Sequence, residues 1–133
     1  MKIFCTGASG YIGGSVAAHL AAAGHEVTGL VRSAEKADAV CAFGIEPVMG
    51  TLDDADLLVR AACKADVVVN AASADHKGAV TALLDALAGS GKAFIHTSGS
   101  SIVGTRSRGE RCDDIFDEDT RITPSPARVA RVE

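Results

Sequence analysis

The chain has 133 residues, of which 47% are hydrophobic, and it carries a formal net charge of −4 at pH 7. This length and composition suit one globular domain with a modest core. The charge gives no general attraction to nucleic acid, and the apolar runs are shorter than the ~20 residues that span a bilayer. No charged segment followed by an apolar stretch opens the chain, so we expect a cytoplasmic protein with neither a nucleic-acid nor a membrane partner.

The cysteines and the acidic residues do not form a metal-binding pattern. The four cysteines are scattered and include no Cys-x-x-Cys pair. We therefore predict neither a disulfide framework nor a zinc site, and we expect three of the four to be small core residues. The acidic run at 110–121 lacks regular ligand spacing, which favours a solvated loop over a metal site.

Short apolar runs alternate with helical patterns as far as about residue 104. Strands are predicted at 2–6, 26–32, 45–50, 65–73 and 92–99. Helices are predicted to begin at Tyr11, after Ser33, after Asp53 or Asp54, and at Lys77, and Gly24 and Gly44 are predicted to end the first two. The continuous apolar character of the central strands is typical of a parallel sheet that helices cover on both faces. The pattern predicts a doubly wound, Rossmann-type α/β sheet with strand order 3-2-1-4-5.

The stretch CTGASGYIGG, residues 5–14, places three glycines between the first predicted strand and the first predicted helix. The N-terminus of a helix attracts anions through its unpaired N–H groups and its dipole. In this context Gly7 allows the sharp turn, Gly10 lets a pyrophosphate approach the backbone, and Gly13 lets the helix pack on the strand. The stretch therefore predicts a dinucleotide-binding site, with a purely structural turn as the alternative.

The end of the second predicted strand indicates which dinucleotide is bound. The residues LVRS end in Arg32 and Ser33, with no acidic residue to bind the ribose 2′-hydroxyl of NAD. A guanidinium beside a hydroxyl suits a 2′-phosphate. We therefore expect NADP(H) to be preferred over NAD(H) by roughly ten- to a hundredfold. The alternative is that Arg32 is simply solvent-exposed.

Four segments carry a resemblance to a known family: TGASGYIG (6–13), VMGTLDD (48–54), DVVVNAAS (66–73) and FIHTSGSSIVG (94–104). Together they resemble motifs of the short-chain dehydrogenase/reductase superfamily, in its extended and atypical branches (the NAD-dependent epimerase/dehydratase family). The resemblance implies NAD(P) as cofactor, a small carbonyl or alcohol as substrate, and a possible homodimer. It implies cofactor contacts beyond the glycines and Arg32 from Ser9, Tyr11, Ile12, Ser33, Leu52, Ala71, Ala72, Ser73 and Thr97. Thr51 replaces the aspartate that is usual in the second segment.

The catalytic pattern of that family is incomplete here. The family transfers its proton through a Tyr-x-x-x-Lys pair, but Ser125 and Val129 stand at the corresponding positions. The single tyrosine of the chain, Tyr11, lies in the glycine motif. The resemblance places an active-site hydroxyl after the fifth strand, at Ser98 or Ser100, with a polar turn as the alternative.

Four histidines complete the set of candidate polar residues. His76 begins the helix after the fourth strand, where it can face the cleft. His96 is expected to be a hydrogen-bonded core histidine in a strand that is covered on both faces. His19 and His25 flank the first helix and are interpreted as structural.

We therefore predict a dinucleotide-binding domain over 1–104, followed over 105–133 by a polar loop and the start of a helix that leads into a further C-terminal part. The leading hypothesis is NADP-dependent oxidoreductase or epimerase/dehydratase chemistry. The second is a non-catalytic, redox-sensing regulator that binds NADP. The third is a non-functional fragment.

Overall fold

A single parallel sheet organises the chain. The computed structural model describes residues 1–99 and 108–121. Its elements are β1 (Lys2–Thr6), α1 (Tyr11–Ala22), β2 (Glu26–Val31), α2 (Ala34–Cys41), β3 (Glu46–Met49), α3 (Ala55–Lys64), β4 (Val67–Asn70), α4 (Lys77–Leu87) and β5 (Ala93–His96). The strand order is β3-β2-β1-β4-β5, and every neighbouring pair is parallel. The predicted Rossmann-type fold and strand order are confirmed. No helix in these ranges has both the length and the apolar character needed to cross a membrane.

The hydrophobic core has one layer on each face of the sheet. Successive side chains of a strand point to opposite faces, so Ile3 and Cys5 pack against α1 and α2, whereas Phe4 packs against α3 and α4. Phe4 is fully buried, and burying such a side chain contributes about 1.5–3 kcal/mol. The two layers explain why the central strands are continuously apolar.

The fifth strand differs from this pattern. Ile95 is 56% exposed, and Ala93 on the same face is also exposed. Phe94 and His96, on the other face, are half-buried, and Phe94 packs against the core layer of α4. The expectation that His96 lies in a strand covered on both faces is therefore wrong for the described residues. The physical reason is that β5 is the edge strand of the described sheet, with helices packed on one side.

The prediction that three cysteines lie in the core is also wrong. Cys5 is fully buried in β1, but Cys41, Cys63 and Cys112 are exposed. In α2 the helical period turns Val40 inward and leaves the adjacent Cys41 outside, and in α3 Ala62 and Cys63 are related in the same way. The acidic run is confirmed as solvated where it is described, since all its residues over 110–121 except the half-buried Thr120 are exposed.

The helix ends follow the predicted residues with one correction. Ser33 caps α2 by accepting a hydrogen bond from the N–H of Lys36 at 3.3 Å, and Gly24 and Gly44 adopt positive φ after α1 and α2. Asp54 occupies the N-cap position of α3, but its side chain does not cap the helix. Its carboxylate instead accepts a hydrogen bond from the N–H of Thr51, at 2.6 Å. This shapes the turn between β3 and α3.

Candidate functional site

The site begins with the glycine turn between β1 and α1. Gly7 has a φ of +73°, which favours glycine, and its carbonyl accepts a hydrogen bond from the N–H of Gly10 at 2.8 Å. Gly10 is the N-cap of α1, with no side-chain cap and no acidic residue in the first turn that follows. The first-turn N–H groups therefore face outward with the positive end of the helix dipole, as an anion site requires.

The glycines also bring three backbone segments into close approach. A Cβ at Gly7 would lie 2.7 Å from the carbonyl carbon of Ala71, in the loop after β4. A Cβ at Gly13 would overlap the carbonyl oxygen of Gly7 and lie 2.7 Å from its carbonyl carbon. Among the described residues, a Cβ at Gly10 would have Gly7 O, at 3.2 Å, as its one neighbour within 4 Å. Gly7 and Gly13 are thus needed for packing, while the backbone at Gly10 is open to a ligand.

A cleft of about 830 Å³ lies against this turn, along the carboxyl ends of the strands. Ten of the residues predicted to bind a cofactor line it: Gly7, Ser9, Gly10, Tyr11, Ile12, Arg32, Leu52, Ala71, Ala72 and Ser73. Ligands of open α/β sheets bind at this edge. The loop over Ala71–Ser73 was predicted as strand, but β4 ends at Asn70 and these residues leave the sheet to form the wall of the cleft.

Three predicted cofactor residues lie outside the wall of the cleft. Gly13 is buried beneath the turn, Ser33 caps α2, and the N–H of Thr97 donates a hydrogen bond to the carbonyl of Asn70 at 3.0 Å. Their predicted contact with cofactor stays a prediction. Gly13 has a clear indirect role, because it lets α1 approach the turn.

The ionic side chains of the cleft wall are unevenly distributed. Arg32, at the end of β2, and Lys36, at the start of α2, are two cations of the wall. Asp53 is the one carboxylate among the wall residues that the structure describes. Lys36 was missed by the sequence analysis. The available signal was its position three residues after the cap Ser33, which puts it in the first turn of α2.

His76 joins two parts of the cleft wall. It is the N-cap of α4, and its Nδ1 accepts a hydrogen bond from the N–H of Ala79 at 3.1 Å. Its Nε2 lies 3.1 Å from Oδ1 of Asp53, in the turn after β3. The prediction that His76 faces the cleft is confirmed.

A second polar group lies behind the cleft, across the ends of three strands. The Thr6 hydroxyl donates a hydrogen bond to Oδ1 of Asn70, and the Asn70 amide nitrogen lies 3.0 Å from Nδ1 of His96. The same amide nitrogen is 3.5 Å from the carbonyl oxygen of Ser73. His96 is therefore hydrogen-bonded, as predicted, although it is half-buried. Its buried Nε2 has no partner among the described residues.

The candidate catalytic residues are less well defined. Ser98 is exposed just beyond β5, and it is not part of the cleft wall. Ser100, Ser125 and Val129 lie outside the described residues. The described residues thus include the residues predicted to bind the dinucleotide, and Ser98 of the candidate catalytic residues.

A Rossmann-type sheet, a glycine turn at a helix N-terminus and a cleft across the strand ends define a dinucleotide-binding domain. The model of the NAD(P)H-binding family matches residues 7–118, and the chain belongs to that family. The resemblance to the short-chain dehydrogenase/reductase superfamily is confirmed.

Named relatives include redox proteins. The oxidase ucsJ from Acremonium sp is 44% identical over 131 residues, which cover 88% of this chain and 37% of the relative. The 4-hydroxy-2-methyl-3-oxo-4-farnesyl-3,4-dihydroquinoline-1-oxide ketoreductase from Stigmatella aurantiaca is 41% identical over 73 residues, which cover 55% of this chain and 22% of the relative. This chain therefore spans well under half the length of these two proteins.

A solved structure gives the same fold with a nicotinamide dinucleotide bound. The structure of AtPrR2 with NADP+ and (+)pinoresinol is similar with a TM-score of 0.56 and 25% identity, over 70% of this chain and 35% of that chain. Together with the family model, it indicates a nicotinamide dinucleotide as the cofactor of this domain. The open backbone at Gly10 fits that group.

Proposed function

We propose that this chain is the NADPH-binding domain of an oxidoreductase that acts on a small carbonyl or alcohol substrate. The observation that carries the proposal is the pair of cations, Arg32 and Lys36, on the wall of the same cleft as the glycine turn. The position after β2 that holds an acid in NAD-binding domains is Arg32 in this chain. A 2′-phosphate is the anion that two cations at this place would bind.

Each part of the wall has a distinct task in this proposal. The N–H groups at the start of α1 bind the pyrophosphate, and Gly10 keeps the approach open. Arg32 offers a planar fork of donors to the 2′-phosphate, and Lys36 adds a second positive charge. A nicotinamide held in this cleft would supply or accept a hydride. Ser98 or Ser100 donates a hydrogen bond to the substrate oxygen and so stabilises the charge that develops there.

The names of the two relatives support net redox chemistry over the epimerase or dehydratase chemistry that other members of the superfamily perform. A cytoplasmic location and a homodimer belong to the same proposal.

A redox-sensing regulator is the second candidate. It is favoured by one fact of the sequence: Tyr11 is the single tyrosine, so this chain holds no Tyr-x-x-x-Lys pair. Such a protein would bind NADP and NADPH with different affinities and would not turn over. Oxidation of NADPH during incubation with carbonyl compounds distinguishes the enzyme from the regulator.

The test is a parallel titration of the purified chain with NADPH and NADH, followed by nicotinamide fluorescence. We expect NADPH to bind at least tenfold more tightly. Arg32→Gln should weaken NADPH binding roughly ten- to a hundredfold and leave NADH binding nearly unchanged, because it removes a charge-assisted hydrogen bond to the 2′-phosphate alone. Arg60→Gln is the matched control, since Arg60 is exposed on α3 and lies outside the wall of this cleft. Equal binding of the two nucleotides, or no binding to the folded chain, overturns the proposal.

A further inference from the structure

We infer that His96 is a positioning residue for the dinucleotide cleft, and that its protonation reverses the amide of Asn70 and loosens the loop that lines the cleft. The effect on the nucleotide rests on the proposed function, because Ala71, Ala72 and Ser73 of this loop belong to the cleft wall. The inference goes further by assigning a dependence on pH to a side chain behind the cleft.

The amide of Asn70 has one orientation that suits all its neighbours while His96 is neutral. The Thr6 hydroxyl donates to Oδ1 of Asn70, so the amide oxygen faces β1. The amide nitrogen then lies 3.5 Å from the carbonyl oxygen of Ser73 and 3.0 Å from Nδ1 of His96, with one N–H for each. Because Nδ1 accepts, the proton of the neutral ring is on Nε2.

Protonation of the imidazole changes Nδ1 from an acceptor into a donor. The Nδ1–H of His96 would then face the NH2 group of Asn70 across 3.0 Å, with no acceptor between the two donors. A half-turn of the amide removes this conflict, because Oδ1 then accepts from Nδ1–H. The Thr6 hydroxyl accepts as well as donates, so it can pair with the NH2 group of the reversed amide.

The reversed amide of Asn70 does not suit Ser73. Its oxygen would stand where the NH2 group lies now, 3.5 Å from the carbonyl oxygen of Ser73, and neither oxygen carries a proton. A long hydrogen bond is thereby replaced by a repulsive contact, and the loop moves away from Asn70. Because Ser73 and the two residues before it line the cleft, this movement changes the wall that the nucleotide meets.

No ion pair with a described residue fixes the charge of His96. The described elements that pack against β5 are β4, which has no ionisable side chain, and α4. The ionisable side chains of α4, Lys77 and Asp85, are exposed, and His76 at its N-cap lies on Asp53. Neither carboxylate forms an ion pair with His96. Imidazole is the side chain that ordinarily changes its charge between about pH 5 and 8, and the reversal is expected in that range.

The test measures the affinity of the purified chain for NADP+ by calorimetry between about pH 5.5 and 8, a range in which imidazoles titrate. The 2′-phosphate of the ligand and His76 can also change charge there. Each dissociation constant is therefore divided by that of the His96→Asn variant at the same pH. Asparagine places a carbonyl oxygen near the position of Nδ1 and does not titrate, so it retains the acceptor at every pH.

The ratio of the two dissociation constants, unmodified chain over His96→Asn, should rise about three- to tenfold as the pH falls, because the protonated form loses one positioning hydrogen bond of the loop. His19→Asn is the matched control, since His19 is exposed on α1 and lies outside the cleft wall. This variant should follow the unmodified chain at every pH. In the NMR spectrum of the free chain, the NH2 signals of Asn70 should move over the same pH range, and they should stay still in His96→Asn.

The outcomes separate this inference from the proposed function. If the folded chain binds NADP+ but the ratio does not change with pH, positioning by His96 is refuted and the proposed function stands. If the NH2 signals of Asn70 do not move with pH in the unmodified chain, the inference is likewise refuted, and this measurement does not depend on any variant folding. If the folded chain binds neither NADP+ nor NADPH at any pH, both fall.

Discussion

The amide nitrogen of Asn70 lies 3.0 Å from Nδ1 of His96 and so joins the ends of β4 and β5. The same nitrogen lies 3.5 Å from the carbonyl oxygen of Ser73, which can only accept a hydrogen bond, so this atom is the amide NH2 of Asn70 and it donates. Because an amide NH2 can only donate, Nδ1 of His96 is the acceptor of the bond between the two side chains. Asn70 thus holds the loop that lines the cleft to the edge strand behind it.

His96→Phe tests the contribution of this contact. Phenylalanine retains a ring that stacks on Phe94, whose centroid lies 5.7 Å from that of His96. It removes the acceptor, which leaves a buried amide N–H without its better partner. We expect a loss of about 1–3 kcal/mol in the free energy of unfolding, measured with urea. His19→Phe, on the exposed side of α1, should change the stability by no more than about 0.5 kcal/mol. Equal losses in the two variants would contradict the assignment.

Gly13→Ala tests the close approach of α1 to the glycine turn. The new methyl group would meet the carbonyl group of Gly7, which is backbone and cannot move aside cheaply. We expect a loss of about 1–3 kcal/mol in stability, together with weaker NADPH binding, because the turn itself is displaced. Thermal unfolding and the fluorescence titration measure the two effects.

Gly78→Ala is the matched control for that substitution. Gly78 lies in α4, and an added Cβ would meet the His76 ring at 3.8 Å, an ordinary contact. Alanine should therefore be neutral or stabilise the helix by about 0.5–1 kcal/mol. A loss of stability as large as that of Gly13→Ala would show that the contact with Gly7 is not the cause.

Because of Cys5, we expect the free energy of unfolding to decrease as the pH rises in the alkaline range. Burial raises the pKa of the Cys5 thiol from 9.0 to about 11. Because the folded state holds the proton more tightly than the unfolded state, this contribution is fully present below about pH 9 and is lost as the pH rises towards about pH 11. The free energy of unfolding should therefore fall by up to about 2–3 kcal/mol more over this range than it does in Cys5→Ala. Parallel slopes of the two proteins would exclude ionisation of Cys5 as the cause.

Asp54→Ala should loosen the turn between β3 and α3. The substitution removes the carboxylate that accepts from the N–H and hydroxyl of Thr51, and we expect a loss of about 1 kcal/mol in stability. Asp54→Asn retains an acceptor and should lose less. Urea unfolding of both variants measures the difference. An equally large loss in the two variants would mean that the negative charge, not the acceptor, is what matters.

Much of the fold was predictable because local and long-range signals agree. The apolar runs, the glycines at helix ends and the Ser33 cap all indicate the same alternation of strands and helices, and parallel strands with short connections leave few topologies. The glycine turn was predictable for the same reason, since Gly7, Gly10 and Gly13 occur where a strand meets a helix.

The features that the sequence analysis missed depend on contacts between distant parts of the chain. Asp54 is an acceptable N-cap by residue type. Its carboxylate instead accepts from the preceding Thr51, and composition does not reveal which of the nearby N–H donors it takes. The bonds of Asn70 to Thr6 and to His96 cross 64 and 26 residues. The exposure of Cys41 follows from its angular position on α2. The hydrophobic pattern of so short a helix does not define that angle well enough to tell Cys41 from its buried neighbour Val40.

The packing of Gly7 against Ala71 has a consequence for the kinetics of ligand entry. The turn after β1 and the loop after β4 lie backbone to backbone, at a separation that leaves no space for a side chain at Gly7. The two segments therefore pack against each other before any ligand binds. The conformational entropy of ordering them is lost when the chain folds and not when the nucleotide binds. Nucleotide capture at this end of the cleft should proceed in a single kinetic phase, with amide exchange in both segments slow already in the free chain.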